Sequence, residues 1–323
     1  MLAGVAGAAL LGVLVFPGAA TREFEGARLW IADRGAGRLV GADRMLRPLG
    51  SCELPGLESV LGTSRGELWI VAEDGALLLR EDARGHRARW RIPEPARLLD
   101  LAEAQGGGIL VLVAEGSRRV VRVVRGTGVG SALVVPDGAM GLASGPRGAL
   151  VYGERGVWAL DVRGSVPTTV AVSRVGARDA GAVSGETGEG AFWWRLRPDG
   201  TQLDLLGAGL EPRRSVLLPL PMSSGAVDEN RIWLAARGRT RLFCVDLPSL
   251  EISPDRVLDP GLSSKVVAAT PLPDGGGLTL ALPGALLRMT PRGRLVGSQG
   301  GFRGIVSLAI SSAPHGAASV PGE

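Results

Sequence analysis

Six charged residues recur at one place in a repeated pattern, each close after an apolar stretch typical of a β-strand. We call them the predicted rim: Asp33, Glu73, Glu115, Glu154, Arg195 and Arg237. The acids come first along the chain and the arginines last, so a ring of these positions would carry both signs of charge. Such a rim suits a protein, peptide or carbohydrate ligand oriented by complementary charge. The alternative is that the charges only end strands and remain solvated.

Other residue types that carry chemistry are sparse. The chain has 2 histidines and 2 cysteines, which offers little to a histidine-based metal site or a general base. Cys52 and Cys244 fall in distant repeats, and we interpret them as separate thiols. The sequence therefore predicts no catalytic residue, no metal site and no cofactor.

The charge balance of the chain argues against a nucleic-acid partner. The formal charge is +4 and the pI is near 9.9, but acids are interleaved with the arginines almost everywhere. The densest basic stretch is “RARWR”, residues 87–91. Alternating arginines of this kind are typical of a solvated outer strand, so we expect no nucleic-acid binding.

Repeated strands would position the predicted rim. A turn residue, one variable residue and an apolar strand recur from “ARLWIADRG” to “GGLTLALPG”. The repeats lie about 40 residues apart, which is the length of a four-stranded propeller blade. The 50 glycines and 21 prolines supply tight turns between short strands. The sequence predicts an all-β propeller of seven blades, with six blades as the rival count because the last spacing is longer and the fifth repeat is weak.

The two ends of the propeller are predicted to share one blade. The first repeat starts at its second strand, Leu29, and has no inner strand before it. The stretch “VSLAISSAPHG”, residues 306–316, resembles the inner strand of the other repeats. We therefore expect residues 305–313 to close the ring, since closure leaves no open sheet edge. The propeller would span residues 21–316, followed by a disordered tail at 317–323.

The first 20 residues are apolar and uncharged, and the polar stretch “TREFEGAR” follows. Small residues before Thr21 are typical of a signal peptide cut after Ala20. The alternative is an uncleaved anchor that tethers the protein to a membrane through residues 1–16. Either interpretation predicts a periplasmic or extracellular protein.

The stretch “LWIADRGAGRLVGAD”, residues 29–43, resembles the NHL repeat and more loosely the YVTN repeat. In both, an apolar strand ends in Ala-Asp, here at Asp33, and an arginine opens the next strand, here Arg38. The resemblance implies a propeller fold and says little about an activity.

Propellers of the gluconolactonase and regucalcin type suggest an alternative function. A divalent ion needs several converging oxygens, and acids of the predicted rim or of strands near the axis could supply them. The metal site of those enzymes includes an asparagine, whereas this chain has only Asn230. We favour an exported, non-catalytic module for binding or assembly, with a metal-dependent lactone or ester hydrolase as the alternative.

Overall fold

The structure is a computed structural model. It describes residues 29–310, apart from residues 44, 83–85, 127, 146–147, 164–165, 184–192, 229–230, 240, 248, 258–265, 272–277 and 291–293. The predicted leader (1–20) and tail (317–323) lie outside the described residues.

Seven antiparallel sheets form the blades of a ring. The strands of each blade are given from the inner strand outward. Blade 1 contains β29 (Ile305–Ile310), β1 (Leu29–Asp33), β2 (Arg38–Ala42) and β3 (Pro48–Glu53). Blade 2 contains β4 (Ser59–Gly62), β5 (Leu68–Ala72), β6 (Leu77–Glu81) and β7 (Arg87–Arg91). Blade 3 contains β8 (Arg97–Glu103), β9 (Ile109–Glu115), β10 (Arg118–Arg125) and two short outer strands, β11 (Gly128–Val129) and β12 (Leu133–Val135).

The remaining four blades have four strands each. Blade 4 contains β13 (Ala139–Gly145), β14 (Gly148–Gly153), β15 (Gly156–Asp161) and β16 (Thr168–Ser173). Blade 5 contains β17 (Asp179–Ala182), β18 (Trp193–Leu196), β19 (Gln202–Leu206) and β20 (Pro212–Leu217). Blade 6 contains β21 (Met222–Asp228), β22 (Arg231–Ala236), β23 (Arg241–Asp246) and β24 (Ile252–Val257). Blade 7 contains β25 (Ala268–Pro271), β26 (Leu278–Leu282), β27 (Ala285–Met289) and β28 (Leu295–Gln299).

The core lies between the blades. Second strands such as β5 and β26 are buried along their whole length, because alternate side chains face the two neighbouring blades. Trp69 and Val71 of blade 2, for example, pack against Leu98 and Val111 of blade 3. A strand buried on both faces needs a continuous apolar sequence, which explains the apolar runs that mark the repeats.

The ring closes as the sequence predicts. Strand β29 pairs antiparallel with β1, from Leu29 opposite Ile310 to Asp33 opposite Ile305. The seven inner strands contact one another in a closed circle, in which β29 also touches β4 and β25. The count of seven blades is confirmed and the six-bladed rival is wrong. The described part of the closing strand ends at Ile310, so residues 311–313 lie outside the described residues.

Candidate functional site

The second strands of all blades end on the same face of the ring, which we call the B face. Glu115 ends β9, Glu154 and Arg237 follow β14 and β22, and Glu73 opens a short 3-10 helix, η2 (Glu73–Gly75), after β5. These four residues are at least partly exposed, and we call them the exposed rim. The other two members of the predicted rim are buried, which the repeat pattern does not indicate.

Asp33 is a fastener of the ring closure and has no exposed surface. Its Oδ1 accepts the backbone N–H groups of Arg303 at 3.0 Å and Gly304 at 2.9 Å, and its Oδ2 accepts Nε–H of Arg38 at 3.2 Å. Arg303 and Gly304 directly precede β29, so Asp33 ties the C-terminal segment to the first strand of the chain. Its expected place on an exposed rim is corrected accordingly.

Arg195 lies within β18, opposite Asp204 of β19, and is 1% exposed. Its Nε–H donates to Oδ2 of Asp204 at 2.7 Å, and its Nη1 donates to Ser173 Oγ at 2.8 Å and to the Val175 carbonyl at 3.0 Å. The arginine thus joins blades 4 and 5 inside the protein. It cannot contact a ligand at the rim in this position, which corrects the second rim assignment.

The charge of Asp204 is balanced by a dense set of donors. Burial by itself pushes the pKa of this carboxyl group upward, but hydrogen bonds from Ser215, Arg195 and Arg197 outweigh it and hold the pKa below its ordinary value. Gln202 donates to the same carboxylate at 2.8 Å. Asp204 therefore stays ionised near neutral pH, as an internal partner for two arginines.

The exposed rim has acids in blades 2 to 4 and a base in blade 6. Glu73 pairs with Arg91 at 2.8 Å and Glu115 pairs with Arg122 at 3.1 Å. Glu154 and Arg237 are exposed, and Arg237 donates to the Asp199 carbonyl at 3.0 Å. Exposed pairs of this kind contribute little to folding, so these charges remain available to a partner. Their role in binding stays a prediction.

Two exposed apolar side chains lie near the B-face ends of two neighbouring inner strands. Leu99 of β8 and Met140 of β13 are 38% and 51% exposed. Each sits at a β-bulge, between Leu98 and Asp100 in one strand and between Ala139 and Gly141 in the other. A bulge redirects a side chain, and both of these side chains are exposed rather than packed between blades. We call this pair the apolar mouth; no pattern in the sequence marks it.

Just inside the mouth, one position of each inner strand forms a ring that we call the belt. Its members pair with second-strand residues whose side chains face the next blade. In blade order they are Ser307, Ser59, Asp100, Gly141, Asp179, Ser224 and Ala268.

Side chains of the belt link neighbouring blades. Ser307 Oγ accepts the backbone N–H of Val60 at 2.7 Å, Asp100 accepts that of Leu142 at 2.7 Å, and Asp179 accepts that of Gly225 at 2.8 Å. Ser224 Oγ donates to the Val266 carbonyl at 2.6 Å. Together with the apolar packing between blades, these bonds fix the relative position of the inner strands.

Blade 4 has a glycine, Gly141, in the belt, and the side chain of Tyr152 fills the space beside it. A Cβ atom at Gly141 would lie 2.4 Å from the Tyr152 hydroxyl oxygen, so the missing side chain makes room for this ring from β14. The Tyr152 hydroxyl is hydrogen-bonded to Asp179. Burial, together with the charges of Asp179 and Asp100, raises the pKa of Tyr152 well above its ordinary value, so it stays neutral and donates this bond.

Within the described part of the chain, no group of three or more histidine, cysteine, aspartate or glutamate side chains is placed to hold a metal ion. Cys52 and Cys244 are separate thiols that form no disulfide, as the sequence predicts. The described surface of the B face therefore offers charges and the apolar mouth.

Comparisons with known proteins agree with the fold. No family model matches the sequence, and no curated protein matches it. A functionally unknown protein from Desulfotomaculum acetoxidans has a similar structure at 13% identity, covering 89% of this chain and 99% of that one, with a TM-score of 0.66. Apo AztD from Citrobacter koseri is similar at 11% identity, over 87% and 97% of the two chains, with a TM-score of 0.63.

A third similar structure is an enzyme. A catalytically inactive variant of virginiamycin B lyase from Staphylococcus aureus, solved with quinupristin, is 13% identical over 81% of this chain and 93% of that one, with a TM-score of 0.59. At such low identity these likenesses show the fold alone. The chain is a seven-bladed β-propeller, the architecture that the repeat spacing and the shared blade predict.

Proposed function

We propose that the protein is an exported, non-catalytic propeller that binds a peptide segment of a partner protein on its B face. The observation that carries the proposal is the apolar mouth, where Leu99 and Met140 are exposed on the innermost strands. The exposed rim adds charged side chains on the same face, in blades 2, 3, 4 and 6. An apolar centre within a polar border is the usual anatomy of a protein interface.

The two parts of the B face would have different roles in binding. The apolar mouth would supply affinity, because covering it removes apolar surface from water. The exposed rim would orient the segment and speed its association, since exposed charges act mainly on specificity and on-rate. Acids in blades 2 to 4 and Arg237 in blade 6 favour a segment that carries both signs of charge.

The hydrolase alternative requires several oxygen ligands directed at one ion. Among the acids proposed for that role, Asp33 is occupied by the ring closure, and the described residues contain no group of three or more histidine, cysteine, aspartate or glutamate side chains placed to hold an ion. No observation on the described residues favours this activity, so the binding module is the function that the geometry supports best.

Selection of peptides on the purified protein tests this proposal without knowledge of the natural partner. A displayed library of random peptides should yield binders of the protein that fail to bind a Leu99→Asp, Met140→Asp double variant, because the variant places charge where apolar side chains must pack. A Leu217→Asp variant is the matched control, since Leu217 is 75% exposed on the outer strand of blade 5. Binding that survives in the double variant, or a selection that enriches nothing, would contradict the proposal.

We also propose that the protein is exported, on the basis of residues 1–20 of the sequence. No helix among the described residues has the length and hydrophobicity to cross a membrane. Sequencing of the mature N-terminus from the native host should begin near Thr21, or the protein should sediment with membranes if the leader is kept as an anchor. Soluble cytoplasmic protein that retains Met1 would contradict both forms of the proposal.

A further inference from the structure

The belt contains two ionisable side chains in a ring of otherwise neutral ones. Asp100 and Asp179 stand where the other blades have serine, glycine or alanine. Ser307 Oγ accepts an N–H group from blade 2 at 2.7 Å, the same distance as the bond from Leu142 to Asp100. A neutral hydroxyl therefore suffices to link two blades at this position, and the carboxylate adds a charge that the link does not require.

The surroundings of Asp100 do little to stabilise that charge. Its oxygens accept two backbone N–H groups, from Leu101 at 2.9 Å and Leu142 at 2.7 Å, and no ion pair to Asp100 is present among the described residues. The ionisable groups that interact with Asp100 are the carboxyl group of Asp179 and the hydroxyl group of Tyr152, and Tyr152 is hydrogen-bonded to Asp179.

Other ionisable residues near Asp100 are exposed or have partners elsewhere. Those on β8 and on the elements packed against it are Arg97, Glu103, Glu115, Glu73 and Asp74. Arg97 and Asp74 are exposed, Glu103 accepts bonds from Ser64, and the remaining two glutamates are paired with the arginines described above. Strand β13, which faces Asp100 from blade 4, contains no ionisable residue.

We propose that the belt is proton-sensitive: Asp100 takes up a proton under mildly acidic conditions and thereby stabilises the folded ring as a whole, even though the proton weakens the bond from Leu142 to Asp100. The proton removes the charge from a half-buried carboxylate that has two backbone N–H donors and no cationic partner among the described residues, and it ends the repulsion by Asp179. The inference does not require the B face to bind any ligand.

The direction of the effect follows from the pKa of Asp100. Burial, against the opposing effect of the two N–H donors, and the charge of Asp179 raise this pKa from 3.8 to about 6. A group with a raised pKa in the folded protein contributes stability that is complete below its ordinary pKa and is lost as the pH rises through the raised value. The unfolding equilibrium constant should therefore increase about tenfold between about pH 5 and about pH 7.5 through this group alone.

Chemical denaturation of the full-length protein and an Asp100→Ser variant over this pH range tests the inference. Serine is the natural residue in three other blades and keeps a bond to Leu142, so the variant should fold, lose the tenfold dependence and equal or exceed the parent in stability at the higher pH. Among the residues that the structure describes, the histidine is His86, an exposed side chain whose Nδ1 lies 3.0 Å from Asp82 Oδ2. A His86→Gln variant is the matched control and should keep the dependence.

A local measurement separates Asp100 from every other titrating group. The backbone amide resonance of Leu142 should titrate with a midpoint near pH 6 in the parent, because its N–H donates to Asp100. The same resonance should be insensitive to pH in the Asp100→Ser variant. A flat Leu142 resonance in the parent, or a pH dependence of stability that survives in Asp100→Ser and disappears in His86→Gln, would overturn the proposal.

Discussion

Removal of the chain from Gly304 onward should open or unfold the ring. The truncation deletes β29, so the inner edge of Leu29–Asp33 loses its antiparallel partner. It also removes Ile305 and Ala309, which are buried against blades 7 and 2. Burial of an isoleucine side chain is worth about 1.5 to 3 kcal/mol, and each buried polar group left without a partner costs about 1 to 3 kcal/mol. The total approaches the 5 to 15 kcal/mol that typically separate folded from unfolded domains.

Thermal melts and gel filtration of two truncations would measure this loss. The control removes only residues 317–323, the predicted tail, and should melt and elute like the full chain. The longer truncation should melt far lower or elute as an aggregate, because an unpaired β1 is an exposed sheet edge. If it melts like the full chain, the closing strand contributes nothing and the ring is held by its blades alone.

The fold was predictable because each blade repeats the same physical demand. A second strand packed between two neighbours must be apolar on both faces, and tight turns must follow at blade length, so the spacing shows in the sequence despite weak identity between repeats. The first repeat lacks an inner strand, and the C-terminal end has an inner strand without further strands. These two features predicted a shared blade, in which β29 pairs with β1. The divided outer position of blade 3, with β11 and β12, carries no comparable constraint and was not predicted.

The site was less predictable because the pattern gives the position of a charge without its facing direction. Asp33 and Arg195 recur with the exposed charges, yet one ends its strand against the closing segment and the other lies one step earlier, inside its strand. A signal for Arg195 did exist: Asp204 occupies the opposite position of the next strand, as expected of a buried cross-strand pair. The apolar mouth depends on two bulges, and no residue type marks where a bulge will form.

Substitution of Arg195 by methionine should destabilise the protein by about 3 kcal/mol, near the lower end of the 3 to 5 kcal/mol typical of a broken buried ion pair. The side chains of Arg195 and its partner Asp204 are 1% and 0% exposed, so water cannot replace the lost guanidinium group. The lower value is expected because Asp204 keeps other donors, including Arg197 at 3.1 Å and Ser215 at 2.7 Å. Charge reversal to glutamate should be worse, since it would place two carboxylates side by side in the interior.

The matched control for this substitution is Arg237→Met on the exposed rim, which should change stability by less than about 0.5 kcal/mol. Urea denaturation of the three proteins gives the comparison directly, and an Arg195→Met, Asp204→Leu double variant separates the pair from the packing around it. Removal of both charges leaves no unpaired ion in the interior, because Arg197, which also loses Asp204, is 35% exposed and can be solvated, so the double variant should be more stable than Arg195→Met. If the substitutions at Arg195 and Arg237 change the free energy of unfolding equally, Arg195 is solvated, and its predicted place on the exposed rim is restored.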